Sequence, residues 1–389
     1  MAIDTASRQV QPATGTPPRV SVVIPCLNEA ENIEECVSRA LSVLEENAFA
    51  GEVIVVDNGS EDGSAALARA AGATVIEEPR RGYGQAYLTG FEAAAGDYIV
   101  MIDADLTYDF EEIPHFVAEL DAGAQLVMGN RMENIQPGAM SIISRIGNPI
   151  LTGFLNLVHS SPIRDAHCGL RALRRDALPV LDLRSTGMEF ASEMVIRAAK
   201  VHLDVREVPI KLHRRGGESK LSPFRDGWRH LRLILIHSPN ALFIVPGSVM
   251  VGLGALMELT VFAHVSLFGR TWYVHTLIGG SALVIVGAQV VGLGLCGRAY
   301  SVFVLGYSDP RFERLGKRVG LEHGLLLAVL VVFFGLALGG VVVAQWIAHG
   351  FGTLGEERLA IVSMTLVVTG IQIFFTSFLI SLLGLRRPG

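Results

Sequence analysis

Three short polar clusters in the N-terminal third hold groups from which chemistry could be built: Pro25–Glu29, Asp57–Ser60 and Asp103–Asp105. Asp103 and Asp105 flank one small residue, Ala104. Carboxylates this close repel each other unless a cation joins them. Hard divalent ions such as Mg2+ or Mn2+ accept carboxylate oxygens and keep places for phosphate oxygens. Asp103 and Asp105 are therefore the expected metal ligands. A DxD alone is weak, because acidic pairs are common in loops, so its surroundings must decide. Asp57 could accept a hydrogen bond from a nucleobase or a ribose hydroxyl. The plain alternative is that Asp57-Asn58-Gly59-Ser60 only makes a turn.

The elements that would position these clusters can be read from the apolar pattern. Arg19–Ile24, Gly51–Val56, Ala73–Glu77 and Asp97–Ile102 are short apolar runs with strand character. Asn28–Glu46, Asp62–Ala71 and Gly82–Ala95 between them read as helices. Alternating strands and helices imply an α/β fold with a mostly parallel sheet covered on both faces. Ligands in such sheets bind at the carboxyl ends of the strands, and all three polar clusters lie at strand carboxyl ends. Gly82-Tyr83-Gly84 does not complete a dinucleotide fingerprint. The third glycine position is Tyr87, and the run follows the third strand instead of the first.

The composition changes near Pro239. Four long apolar stretches follow, at about Ala241–Phe262, Tyr273–Cys296, Gly324–Ile347 and Leu359–Leu383. Each approaches the ~20 residues that cross a bilayer. Basic residues concentrate before the first stretch (Arg214, Arg215, Lys220, Arg225, Arg229, Arg232), between the second and third, and in the tail (Arg386, Arg387). Basic loops stay cytoplasmic. The expectation is a multi-pass cell-membrane protein with its large N-terminal domain and both termini in the cytosol. Over Ser222–Ile236, Phe224, Trp228, Leu231 and Leu235 share one helical face, and Arg225, Arg229 and Arg232 another. That pattern suits an interfacial amphipathic helix; the plainer reading is a helix packed on the domain. Met1–Arg19 reads as a disordered leader without the apolar run of a signal peptide. The expected organisation is thus leader 1–19, catalytic domain 20–221, interfacial helix 222–238 and transmembrane domain 239–389.

Half the chain is apolar and the net charge is −6, which gives no support to a nucleic-acid partner. The four cysteines form no CxxC pair and no disulfide framework. His167, His213 and His237 lack metal-ligand spacing and read as structural. Glu258 lies inside the first apolar stretch, where charges are costly and usually paired or functional. Gly335 and Gly339 form a GxxxG, a helix-packing signal.

These motifs together resemble family 2 glycosyltransferases of the GT-A, Rossmann-like fold. Within that family they are similar to the dolichyl-phosphate mannose and glucose synthases and to bacterial polyprenyl-phosphate glycosyltransferases. The carrying residues are Val23–Glu29, Val55–Ser60, Arg81–Gly84, Ile102–Leu106, Gly129–Arg131, Asp165–Arg171 and Arg214–Lys220, spanning about residues 20–240. The resemblance implies that Pro25, Asn28, Glu29, Asp57, Gly84 and Asp103 bind the nucleotide sugar. It places Asp103 and Asp105 on the metal, and Arg131, Arg145 and Lys220 on acceptor or donor phosphates. Asp165, with Arg131, would sit near the reacting centre.

The chain departs from the family at Asn58, where many members carry Asp, at Thr107, where many carry Gln, and at Cys168, where Ser is common. Direct metal ligation by Thr107 is therefore in doubt, and nothing in this chemistry needs a thiolate at Cys168. The implied reaction is metal-dependent, inverting transfer of a hexose from a GDP-mannose- or UDP-glucose-type donor to dolichyl, undecaprenyl or decaprenyl phosphate. Two alternatives stay open: another acceptor such as a glycolipid or polysaccharide, and a non-catalytic membrane scaffold. A processive synthase would carry QxxRW, which Gly227-Trp228-Arg229 does not supply. The intact carboxylate pair argues against a scaffold. The sequence leaves a homo-oligomer open.

Overall fold

The computed structural model describes residues 17–216, 223–264, 273–304, 320–351 and 356–384, with short pieces at 266–267, 270–271, 309, 312–314 and 316. The leader therefore falls almost wholly outside the described residues, as does Lys220. The chain divides into two compact units, 1–234 and 235–389.

In the first unit β1 (Val20–Cys26), α1 (Ile33–Glu46), β2 (Gly51–Asp57), α2 (Ser64–Ala70), β3 (Thr74–Glu77), α3 (Tyr83–Ala93) and β4 (Tyr98–Met101) alternate. α4 (Ile113–Asp121), β5 (Leu126–Asn130), α5 (Ile142–His159), β6 (Arg171–Arg174), α6 (Leu178–Leu181), α7 (Phe190–Lys200), β7 (Val205–Pro209) and α8 (Pro223–Ile236) follow. The sheet order is β3-β2-β1-β4-β6-β5-β7. All pairs are parallel except those of β6, which runs antiparallel to both neighbours.

The two-residue period of a strand sorts its side chains between the two faces. Val20, Val22, Ile24, Val53 and Val55 pack under Ile33, Val37 and Phe116. Val23, Ile54 and Val56 pack under Tyr87, Phe91 and Phe190 on the other side. Gly90 lets α3 lie directly on the sheet, since a Cβ there would meet Val23 Cγ1 at 2.4 Å.

One helix in this unit starts well inside the expected limit. α1 begins at Ile33, not Asn28. Asn28 takes a positive φ of 52°, and its neighbours' backbone N–H groups are spent across the loop: Asn28 N donates to Ser60 Oγ and Glu29 N to Ser64 Oγ, both at 2.9 Å. Expectation also missed the face α5 presents. Ser141 caps this helix by accepting from Ser144 N, and Thr152 and Leu155 face inward. Yet Ile142, Ile143, Ile146, Ile150 and Leu157 are exposed, Ile142 by 78% and Leu157 by 80%. α8 is two-sided. Phe224 and Trp228 are exposed, as an interfacial helix requires, while His230 and Ile234 are buried, as a packed helix requires.

Among the described residues the second unit holds four helices long and apolar enough to cross a membrane. α9 (Val245–Phe262) continues a π-helical stretch, Asn240–Ile244. α10 (Val274–Phe303), α11 (Leu321–Ala348) and α12 (Glu357–Gly384) follow. The apolar reading ended the second span at Cys296, because Arg298 follows. The helix itself runs to Phe303, since backbone hydrogen bonding does not stop at the edge of the hydrocarbon, and Arg298 pairs with Asp309.

α9 and α10 meet backbone to backbone through glycines seven residues apart. A Cβ on Gly254 would lie 2.5 Å from Gly280 O, and one on Gly247 2.9 Å from Gly287 O. Glu258 accepts from Ser281 Oγ at 2.8 Å. Gly335 and Gly339 pack against Val367 and Ser363 of α12, within the chain.

Candidate active site

The carboxyl ends of β1, β2 and β4 bring the three polar clusters together. Asn58 ties the end of β2 to the turn before α3. Its Nδ2 donates to Glu78 O (3.0 Å) and Arg80 O (2.8 Å), and its Oδ1 accepts from Gly82 N (2.7 Å). Asp57, almost fully buried, accepts from Ser60 N in the turn the plain reading anticipated. Gly84 is buried where a Cβ would strike Ser185 O at 2.2 Å, so packing alone demands glycine there.

The two carboxylates after β4 are held differently. Asp103 Oδ1 accepts from Tyr83 OH (3.0 Å) and Tyr87 OH (3.3 Å). Burial, reinforced by the charge on Asp105, pushes the Asp103 carboxyl up to about 6. Asp105 Oδ1 accepts from the amide and hydroxyl of Thr107, at 3.1 and 2.5 Å. Thr107 thus orients the carboxylate, which agrees with the doubt about its direct ligation. Asp105 Oδ2 faces Arg215 Nη1 at 3.1 Å, and Arg215 Nη2 donates to Glu29 Oε1 at 3.0 Å. Gly216, beside it, is fastened through its N to Asp105 O and through its O to Asn32 Nδ2.

Does this set suit a divalent cation? The donors are hard carboxylate oxygens, and a guanidinium already lies between Glu29 and Asp105, so the position attracts positive charge. Among the described residues no cluster of three or more His, Cys, Asp and Glu could hold a metal. Two hard carboxylates leave most of an ion's coordination places open, so the set fits an ion shared with the phosphate oxygens of a ligand, as Mg2+ commonly is.

A second centre lies beside the first. Arg131, at the end of β5, is 8% exposed and forms a bidentate pair with Asp165: Nε–Oδ2 is 2.7 Å and Nη2–Oδ1 2.9 Å. Burial pushes the Asp165 carboxyl up, but the Arg131 guanidinium outweighs it, and the net is below the usual carboxylate range. Tyr108 OH accepts from Arg131 Nη1 and from Gly169 N. The loop between is pinned by Arg171, wholly buried, which donates to the carbonyls of Ala166, Cys168 and Ala191. Burial pushes the Cys168 thiol up to about 12, so no thiolate forms there near neutral pH. Arg145 is exposed on the first turn of α5, beside the apolar residues of that helix. His213 is structural, bridging Asp109 and Gln136.

Sequence reasoning assigned no role to Tyr83, Tyr87 or Arg215. The i, i+4 spacing of the tyrosines placed both on one helical face; Arg215 was read only as one of the basic residues of the Arg214–Lys220 motif.

Residues 21–181 match glycosyl transferase family 2, and residues 295–384 match the family 2 C-terminal transmembrane region. The low-salt glycan biosynthesis hexosyltransferase Agl6 of Haloferax volcanii is 41% identical over 94% of this chain and 89% of its own. An undecaprenyl-phosphate 4-deoxy-4-formamido-L-arabinose transferase of Pseudomonas fluorescens is 31% identical over 75% of this chain and 86% of its own. An uncharacterized glycosyltransferase of Mycobacterium tuberculosis, Rv0539, is 37% identical over 52% of this chain and 89% of its own. The sheet, the paired carboxylates at its carboxyl edge and these relatives together assign the chain to glycosyltransferase family 2, as a membrane enzyme with the C-terminal transmembrane region of that family.

Proposed function

We propose that this glycosyltransferase moves a hexose from a nucleoside diphosphate sugar to a polyprenyl phosphate at the cytosolic face of the membrane, with inversion at the anomeric carbon. The observation that carries the reading is the pairing of Asp103 and Asp105 beside Arg215 and the Arg131–Asp165 pair, in a chain whose catalytic unit exposes a row of isoleucines. The exposed faces of α5 and α8 suit a lipid surface, and the basic loops favour the cytosolic side.

Each site residue then has a task. Pro25, Asn28, Glu29, Asp57 and Gly84 line the nucleotide pocket. Asp103 and Asp105 hold a divalent ion, which when bound supplies positive charge against the leaving diphosphate. Arg145 and Lys220 gather phosphates, while Arg131, whose fork is taken by Asp165 and Tyr108, frames the reacting centre with that carboxylate. A phosphate monoester is already ionised at neutral pH and needs no strong base. That agrees with Asp165, whose carboxylate is fully engaged by Arg131 and poorly placed to take a proton.

The experiment uses the full-length protein in vesicles containing undecaprenyl or decaprenyl phosphate, a panel of radiolabelled UDP- and GDP-sugars, and Mg2+ or Mn2+. Lipid-linked product is expected from at least one donor, and EDTA or Asp105→Asn should abolish it. No lipid-linked product from any donor would sink the proposal. Full activity in Asp105→Asn would sink the metal role.

A further inference from the structure

His230 and His167 stand outside the chemistry just described, yet they touch its second centre. His230 lies on the buried face of α8, 7% exposed. Its ring meets the His167 ring edge to face, with centroids 4.6 Å apart and an interplanar angle of 89°. His230 Nδ1 is 2.8 Å from Ser192 Oγ of α7. His167 belongs to the loop that carries Asp165, and its backbone N donates to Asp165 Oδ1 at 3.3 Å. Its Nδ1 is 3.5 Å from Thr152 Oγ1 of α5, and Thr152 Oγ1 also accepts from Ala166 N at 3.3 Å. Nε2 of His167 is buried with no hydrogen-bond partner. α5 also holds α8 directly, His159 Nε2 lying 3.3 Å from Ile234 O.

The two helices with exposed apolar faces thus converge, through α8's inward histidine and α5's inward threonine, on the loop that carries Asp165, the partner of Arg131. A buried polar nitrogen without a partner costs stability and is normally avoided. Here the orphaned Nε2 leaves the far side of the His167 ring held by packing, since its polar contacts are confined to the backbone N and Nδ1. Its position therefore depends on the ring above it.

We propose that His230 is a positioning residue: by packing on His167 it holds the Asp165–Arg131 pair in register while α8 lies on the catalytic unit, so that transfer depends on α8 being docked. The proposal rests on the reading of the protein as a transferase acting at the membrane.

The charge state of the contact follows from what surrounds it. Asp226 and Arg229 face His230 from its own helix, Glu189 from the start of α7, and Arg171 from β6. His167 adds a second imidazole, with Asp165, Arg131 and Arg171 around it. Burial outweighs the acidic neighbours, pushing His230 down to about 4 and His167 well below its usual value. Both rings are neutral when docked. A histidine released to water titrates near 6.5, so docking weakens roughly tenfold per pH unit as pH falls below 6.5 towards 4. Above 6.5 the contact is independent of pH.

The test uses full-length protein in phosphatidylethanolamine–phosphatidylglycerol vesicles with undecaprenyl phosphate, comparing wild type, His230→Ala and His230→Phe. His230→Ala should speed amide exchange across 165–171 about tenfold. It should lower kcat by about tenfold to a hundredfold, the scale of a slight misplacement, with donor KM unchanged. His230→Phe keeps a packed ring that cannot be protonated. It should restore kcat at pH 7.5 and abolish the acid-side rise in amide exchange at 165–171, taken relative to the intrinsic exchange rate, a readout that protonation of Asp103 does not enter. Exchange and kcat both within twofold of wild type in His230→Ala would overturn the proposal. So would exchange at 165–171 that rises with acid in His230→Phe as it does in wild type. If His230→Ala does not fold, the pH dependence of exchange in His230→Phe decides alone. If wild type makes no lipid-linked product, the transferase reading fails, while exchange at 165–171 and its pH dependence still decide the positioning role.

Discussion

Replacing Asp165 by Asn removes the counter-charge of a guanidinium that has almost no access to water. The carboxylate accepts four bonds: Arg131 Nε at 2.7 Å, Nη2 at 2.9 Å, Arg131 N at 3.2 Å and His167 N at 3.3 Å. At about 3 Å and an effective dielectric near 20, the direct attraction is on the order of 5–6 kcal/mol. The desolvation already incurred by both groups offsets most of that, so the intact pair contributes little net stability. Breaking it from one side is another matter, because the desolvation remains and the attraction goes, at a cost of about 3–5 kcal/mol. For a domain of this size that is a fall in Tm of roughly 6–20 °C.

Arg131→Met should cost less, because Asp165 keeps two backbone N–H donors. The double variant Arg131→Met/Asp165→Leu removes both charges and should be less damaged than Asp165→Asn, giving a coupling of about 2–3 kcal/mol. The Asp165 carboxyl is held below its ordinary range, so the contribution is fully present at pH 7. It disappears only as pH drops below about 4 and the group protonates. The assay is thermal unfolding of the full-length protein in detergent at pH 7.5. Effects that add to within about 0.5 kcal/mol would refute the pairing argument.

Asp103 sits near 6 because of burial and then the neighbouring Asp105, so it is protonated below that pH and must lose its proton to take a cation. Mn2+ affinity, read by electron paramagnetic resonance, should be flat above pH 6 and fall about tenfold per unit below it; constant affinity from pH 5 to 7 would contradict this. Arg215 competes for Asp105 Oδ2, so Arg215→Met should tighten Mn2+ binding in the absence of nucleotide, by about tenfold on the usual scale of a neighbouring charge. Unchanged affinity would remove Arg215 from the site. In the membrane unit, Gly254→Leu must push α10 away, whereas Gly252, two residues along, has nothing within 4 Å of a Cβ. Thermal aggregation in detergent should begin well earlier for Gly254→Leu and at the wild-type temperature for Gly252→Leu; equal behaviour would refute the close packing.

The parallel half of the sheet was legible because its strands are local apolar runs whose ends carry polar clusters. Asp103 and Asp105 were singled out as candidates for that reason. β6 was not legible. Arg171–Arg174 reads as a charged motif, and only the folded sheet shows a buried arginine strand running antiparallel between β4 and β5. Arg215 meets Glu29 across 186 positions, a distance no periodicity reports. The isoleucines of α5 have the spacing of a core face. What turns them outward is the polar inner side, Thr152 and Asn156, which satisfies backbone and loop groups at 163–166. The four spans were legible from length and apolarity, and their limits moved where a helix outran its apolar segment.

Asn58 departs from the acidic residue common at its position, and its contacts show what the exchange achieves. An amide donates to two carbonyls and accepts from an N–H at once; a carboxylate in that place would face both carbonyls with like charge. An amide also has no proton to gain or lose across the biological range. The seam joining the end of β2 to the turn before α3 is therefore indifferent to pH, while Asp103, reached from the same helix through Tyr83 and Tyr87, is not. Acidification can change the charge of the proposed metal ligand without loosening the frame that aims it.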